Sequence, residues 1–295
     1  SPPCPAIRRR LLSAPMDQYS PDDGPRDAVE QPRPRRRFRA VPVRIILPNL
    51  VTLLALCMGL TAIRFAIEGR FRTAVLAIIA AAILDGLDGR IARALKGTSR
   101  FGAELDSLAD FVDFGVAPAL VLYMWNLHEI KSLGWFAALV FATAAALRLA
   151  RFNVMIDDPD RPAWTANFFV GMPAPAGACL ALLPLYLNLS ELGIPAGKAY
   201  APWHIAFLLF VAFLMASRIP HFSGKNIGRV PREYVVFVLF GVAAVLLLLA
   251  TYPMEMLAVL CLVYLAALPF SIRRHNRYVA ADEAATKSTA GEPAS

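Results

Sequence analysis

Stretches of about 20 predominantly apolar residues, enough for a helix to cross a bilayer, recur along the whole of this chain. Eight such segments can be drawn, at residues 43–67, 73–95, 101–127, 132–155, 173–189, 203–217, 234–251 and 254–272, the fifth and sixth being short. In hydrocarbon every backbone N–H and C=O must be satisfied within the protein, which makes such segments helices. The composition agrees, at 57% hydrophobic residues with a mean hydropathy of +0.52. A water-soluble domain of similar length is much less apolar. The expected fold class is all-α: a polytopic integral membrane helical bundle of about eight transmembrane helices. No stretch between the segments is long enough for an additional domain.

The net charge of +8 is unevenly spread. Arg33, Arg35, Arg36, Arg37, Arg39 and Arg44 crowd the stretch around the start of the first apolar run. A nucleic-acid arm is one reading of such a cluster; beside a membrane helix, attraction to anionic lipid and control of orientation is the other, favoured here. With that tail on the cytoplasmic side, the inner loops hold Arg90, Arg93, Lys96 and Arg100, then Arg148, Arg151 and Arg161, then Arg218, Lys225, Arg229 and Arg232. The outer connections offer only Arg70, Arg72, Lys131 and Lys198. This asymmetry predicts both termini in the cytoplasm and an even number of spans. Localisation in the cell (inner) membrane follows.

The chain divides into a disordered basic N-terminal tail at 1–42, a membrane-embedded domain at 43–272 and a cytoplasmic C-terminal tail at 273–295. Residues 1–42 are rich in Pro, Arg and Asp and show almost no apolar periodicity. Leu11 and Leu12 are too few for a secretory signal core, and Met16 is the expected natural start. Cys4, Cys57, Cys179 and Cys261 are far apart and form no C-x-x-C pair, which argues against zinc or a disulfide framework. They read as small buried hydrophobes. His128, His204, His221 and His275 are scattered and take no ligand role.

Against this apolar background, four carboxylates stand at fixed spacing. Each intramembrane Asp costs about 2.5–3.5 kcal/mol to insert, so the four require a positively charged partner. Asp85 and Asp88 lie near the cytoplasmic end of the second segment. At about 100° per residue, Asp85, Gly89, Ala92 and Arg93 share a stripe with Asp88 beside it. After a turn at Lys96-Gly97-Thr98-Ser99, the third segment carries Gly102, Asp106 and Asp110 on one line, and then Asp113. Two antiparallel helices with facing stripes bring Asp85, Asp88, Asp106 and Asp110 around one point. Carboxylate oxygens suit hard cations, Mg²⁺, Mn²⁺ or Ca²⁺, and four of them can hold two divalent ions. Gly89 and Gly102 leave room for a ligand, and Arg93 offers a bidentate partner for phosphate.

Near the start of the first segment, Pro48 and Asn49 are followed one turn later by Thr52. Proline is tolerated in a first helical turn; if the regular helix begins near Pro48, Asn49 and Thr52 point from that end towards the cytoplasmic mouth. Simple helix-end chemistry explains these residues equally well. Structural salt bridges could account for one or two of the acids, but not for a line of three. A cation or proton transporter would place acids near the midplane on broken helices; here they sit near the inner surface beside a basic loop.

The pattern Asp85-x-x-Asp88-Gly89-x-x-Ala92-Arg93, eight residues, then Gly102-x-x-x-Asp106-x-x-x-Asp110 resembles the full signature of the CDP-alcohol phosphotransferases. That resemblance implies attack of an alcohol hydroxyl on the phosphate of a CDP-activated donor, with CMP leaving. It implies that Asp85, Asp88, Asp106 and Asp110 hold two divalent ions and that Asp110 is the general base, two roles that compete at Asp110. It also implies CDP binding by Asn49, Thr52, Gly89, Arg93 and Gly102, and a homodimer. The segments Arg148-Leu-Ala-Arg151-Phe152-Asn153, Phe169-x-Gly171-Met172-Pro173-x-Pro175-Ala176 and Ser217-Arg218-Ile219-Pro220 are similar to the branch that uses CDP-diacylglycerol as donor and L-serine as acceptor. Arg148 and Arg151 could meet the acceptor's carboxylate, or could be lipid-headgroup anchors. Inositol phosphate, glycerol phosphate and choline remain alternative acceptors.

Overall fold

The computed structural model describes residues 43–97, 99–156, 168–170, 172–217, 220–222 and 234–269. The tail at 1–42 with Met16 and Cys4, the tail at 273–295 with His275, and Gly171, Arg161, Arg218, Lys225, Arg229 and Arg232 lie outside the described residues.

The first two apolar segments form an antiparallel hairpin of α1 (Val43–Ile67) and α2 (Phe71–Ala94). Small residues make the close approach possible. Ala55, Gly59, Ala62 and Ala66 of α1 and Ala74, Ala77 and Ala81 of α2 are all buried. In lipid, where apolar surface gains little by leaving the solvent, such small-residue seams supply the packing. The helix ends are built alike. Arg70 N–H bonds Phe65 C=O at 2.8 Å and Gly69 N–H bonds Ala66 C=O at 3.0 Å, with Gly69 at φ +72°. At the end of α2, Gly97 N–H bonds Ala92 C=O at 2.9 Å and Lys96 N–H bonds Arg93 C=O at 3.3 Å, with Lys96 at φ +48°. Both are left-handed caps that satisfy terminal carbonyls; the first uses glycine and the second places a lysine in that conformation.

The third segment is α3 (Arg100–Phe111), a π-helical turn (Val112–Val116) and α4 (Ala117–Trp125) in one continuous run. Ser99 caps α3, its hydroxyl accepting from Gly102 N–H at 3.0 Å. Pro118 has no N–H for the carbonyl of Phe114, and the hydrogen-bond ladder widens just before it. A 3₁₀ turn (Leu127–Ile130) leads into α5 (Lys131–Ile156). The fifth segment is two short helices, α6 (Ala174–Ala181) and α7 (Leu183–Leu189), followed by α8 (Ala201–Ala216), α9 (Val235–Thr251) and α10 (Pro253–Pro269).

Among the described residues, three helical runs are long and apolar enough to cross a membrane: Arg44–Ile67, Arg100–Trp125 and Leu127–Met155. α2 is as long but carries Arg72, Asp85 and Asp88. α8, α9 and α10 are shorter apolar helices. The outward faces of these helices are what lipid demands: Leu50, Leu53 and Leu60 on α1 and Phe237, Leu239 and Phe240 on α9 are exposed, a surface no water-soluble monomer displays. This is an integral membrane protein.

α1 starts at Val43, as the first apolar segment does, so Pro48 lies inside the helix rather than in its first turn. The all-α architecture carries one short ladder: β1 (Phe168–Val170) and β2 (Pro220–Phe222) pair antiparallel, with Phe169 opposite His221. The ladder joins the loops that leave α5 and α8.

Candidate active site

The facing acidic stripes of α2 and α3 do meet. One ligand oxygen from each of Asp85, Asp88 and Asp106 lies within 4.8 Å of the others. Asp110 stands outside this group, its carboxyl within hydrogen-bond reach of Asp85. Three hard oxygen donors converging in this way fit a divalent cation such as Mg²⁺ or Mn²⁺. Among the described residues none of the four acids forms an ion pair. The recorded pairs, Arg64 with Glu68, Arg70 with Glu68 and His128 with Glu129, involve none of them.

Thr52 on α1 ties into the cluster. Its hydroxyl lies 2.6 Å from Asp88 Oδ2 and 3.1 Å from the Pro48 carbonyl, so it donates to a carboxylate from the facing helix. Beside it opens a cleft of about 540 Å³ lined by Pro48, Asn49, Thr52, Asp88, Gly89, Ala92, Arg93, Gly97, Ser99, Gly102, Ala103 and Asp106. Every residue expected to contact the nucleotide is on this wall. Arg93 is exposed in it and forms no ion pair among the described residues.

The two motif glycines serve different ends. A Cβ at Gly89 would meet nothing within 4 Å, so this position faces open cleft. At Gly102 a Cβ would stand 2.7 Å from Asn49 Oδ1 and 3.1 Å from Ser99 Oγ. Gly102 therefore lets α3 approach α1 and gives Asn49 its place.

The likeness extends along the chain. The family described as CDP-alcohol phosphatidyltransferase matches residues 45–216. A CDP-diacylglycerol–serine O-phosphatidyltransferase of Mycobacterium leprae is 46% identical over 252 residues, covering 84% of this chain and 81% of that protein. The protein of the same name from Mycobacterium tuberculosis H37Rv is 42% identical over 248 residues, covering 83% of each. The one from Helicobacter pylori 26695 is 34% identical over 220 residues, covering 75% of this chain and 88% of that one. This chain belongs to the CDP-alcohol phosphatidyltransferase family.

Within this CDP-alcohol phosphatidyltransferase, α5 supplies a basic partner for the acids. Arg148 is 8% exposed and lies within electrostatic reach of Asp110 and Asp85, with its guanidinium 5.3 Å from the centre of the Phe152 ring. Its Nε has no hydrogen-bond partner. Arg151, one turn on, donates from Nη1 to the Ala216 carbonyl and so ties α5 to the end of α8. Both arginines border a second cleft of about 450 Å³ between these helices, walled by Leu147, Val154, Met155 and Met215.

Asn153, Ser107 and Gly97 make contacts at the site that their spacing did not announce. Asn153 donates to Ser107 Oγ at 2.9 Å and fastens α5 to α3. Gly97 packs over α1, where a Cβ would fall 2.0 Å from the Arg44 carbonyl. That carbonyl is the one Pro48 cannot bond, so the helix-interior proline and the loop glycine fit each other. Of the histidines, His204 Nδ1 lies 2.7 Å from Asn126 Nδ2 and its ring packs on Trp125, away from the acids. Cys57 is exposed on the outer face of α1, whereas the Cys261 thiol reaches the Cys179 carbonyl at 3.4 Å. Among the described residues, Cys261 fits the buried reading, Cys179 is half-buried and Cys57 departs from it.

Proposed function

We propose that this protein transfers the phosphatidyl group of CDP-diacylglycerol to the hydroxyl of L-serine, giving phosphatidylserine and CMP. The observation that carries the reading is the three-acid group of Asp85, Asp88 and Asp106, of which Asp88 and Asp106 line a cleft bearing Asn49, Thr52, Gly89, Arg93 and Gly102. The names of the relatives supply the substrate pair.

In this reading Asn49, Thr52, Gly89, Arg93 and Gly102 hold the cytidine and phosphates. The donor's acyl chains stay in lipid beside the exposed apolar helix faces. Asp85, Asp88, Asp106 and Asp110 would hold two divalent ions, Mg²⁺ or Mn²⁺. When bound, these ions neutralise charge developing on the phosphates as CMP departs. Thr52 fixes the orientation of Asp88 by its hydrogen bond. Asp110 takes the proton of the serine hydroxyl while the serine oxygen bonds to phosphorus and the bond to the CMP oxygen breaks. Its position outside the three-acid group eases the competition between ligand and base. Arg148, with Arg151 behind it, faces the acceptor's carboxylate.

The same proposal places both clefts at the cytoplasmic surface of the inner membrane, with eight spans and both termini inside. Loop arginines and lysines support this orientation. The basic tail would bind anionic lipid, and the working unit would be a homodimer. The test incubates purified protein, CDP-diacylglycerol and Mn²⁺ with L-serine, inositol phosphate, glycerol phosphate or choline, following CMP release and the lipid product by mass. Release with serine supports the reading. Release only with another alcohol moves the protein to a different acceptor, and substrate-independent ion flux in proteoliposomes would point to transport.

A further inference from the structure

Two buried charged side chains of opposite sign flank the Asp85–Asp110 pair, and each keeps one buried polar atom without a hydrogen-bond partner. Asp113 sits in the π-helical turn, one turn beyond Asp110, and is 1% exposed. Its Oδ1 has no hydrogen-bond partner and lies where a side chain at Gly59 would be, 2.0 Å from the position of a Cβ there. Arg148 is 8% exposed, and its Nε is likewise without a partner. Both lie within electrostatic reach of Asp85. No ion pair joins the two among the described residues.

A buried charge without a partner is costly, and an unpaired one in a folded protein calls for a specific cause. Here one anion and one cation stand beside the same carboxylate without neutralising each other. We propose that Asp113 receives the ammonium group and Arg148 the carboxylate of a zwitterionic acceptor, making the pair the determinants that select an amino acid over other alcohols. This rests on the serine reading above and names the residues that enforce it.

The chemistry sorts the candidate acceptors. Inositol phosphate and glycerol phosphate bring only negative charge and leave Asp113 unpaired. Choline brings only positive charge and leaves Arg148 unpaired. A β-hydroxy amino acid answers both and presents its hydroxyl between them. Three residues of helix, a rise of about 4.5 Å, separate positions 110 and 113. That is short enough for one small molecule to reach the base with its hydroxyl and Asp113 with its ammonium. Gly59 and the widened turn then have a purpose, since together they make room for a carboxylate a turn deeper than the motif requires.

The test compares L-serine with 3-hydroxypropionate, which lacks the ammonium, and ethanolamine, which lacks the carboxylate, using the full chain with CDP-diacylglycerol and Mn²⁺. The unsubstituted protein should use both analogues about 100-fold or more less efficiently in kcat/KM. Asp113→Asn should lower kcat/KM for serine chiefly through KM and bring the ratio of serine to 3-hydroxypropionate close to one. Arg148→Gln should do the same for the ratio of serine to ethanolamine. Equal use of serine and 3-hydroxypropionate by the unsubstituted protein overturns the proposal, and this measurement holds even if Asp113→Asn does not fold. So does an Asp113→Asn protein that loses both substrates in proportion, the mark of a structural role. In either case serine turnover would still stand. Failure of serine with the unsubstituted protein, by contrast, removes the functional reading itself.

Discussion

The Thr52 hydroxyl reaches across from α1 to Asp88 on α2, 2.6 Å from its Oδ2. A hydroxyl has one proton, and the shorter, charge-assisted bond takes it; the Pro48 carbonyl at 3.1 Å is the weaker acceptor. One side chain of the first helix thus orients an acid of the second. Replacing it with the isosteric valine removes the bond without changing the packing. Thr52→Val should raise the Mn²⁺ concentration needed for half-maximal CMP release about 10- to 100-fold, the range for lost outer-shell partners of a metal ligand. Its melting temperature in detergent should stay close to that of the parent. An unchanged metal requirement would separate Thr52 from the cation site.

Asp110→Asn keeps the shape of the side chain and removes its basicity. Turnover with serine should fall about 100- to 10,000-fold, the contribution of a positioned general base. Binding of CDP-diacylglycerol, followed by displacement of a labelled nucleotide, should persist. Retention of appreciable activity would transfer the proton-acceptor role to another group.

Chelation supplies a check on the donor set as a whole. EDTA should abolish CMP release, and Mn²⁺ or Mg²⁺ should restore it. Zn²⁺ should serve poorly, because the converging donors are carboxylates with no histidine or cysteine among them. Activity that survives exhaustive chelation would contradict the metal assignment.

Two glycines predict opposite outcomes for the same substitution. Gly102→Ala pushes against the amide of Asn49, a side chain that can swing away. The fold should hold while KM for CDP-diacylglycerol rises as Asn49 leaves the cleft. Gly97→Ala pushes against the backbone carbonyl of Arg44, and the loop itself must move. That should cost about 1–3 kcal/mol of stability, as for overpacked interiors. Thermal unfolding and steady-state kinetics on the two proteins distinguish them.

Much of this architecture could be read along the chain. Helix boundaries came within a few residues for most segments because, in lipid, backbone hydrogen bonds close locally and the apolar run itself marks the helix. The stripes of Asp85, Asp88, Asp106 and Asp110 were legible for the same reason, since spacing along one helix fixes which residues share a face. The place of Pro48 within α1 was not: it reads locally as a first-turn residue, but the helix runs through it to Val43, with Gly97 of a distant loop packed against the carbonyl it leaves unbonded. Asn153, Ser107 and Asp113 gave only weak signals, because nothing in their spacing names the helix they will touch.

The sequence by itself determined that this chain is a membrane helical protein with an acidic motif of the CDP-alcohol phosphatidyltransferases, because helix formation and facial periodicity depend on neighbours within a few residues. Only the tertiary structure decided that Arg148 of α5 lies against Asp85 and Asp110, that Asp113 is buried in a widened turn beside Gly59, and that Phe169 pairs with His221. Those meetings join residues from 38 to 63 positions apart. They follow from how small-residue seams, a proline and a π turn set one helix against another, and no local pattern encodes them.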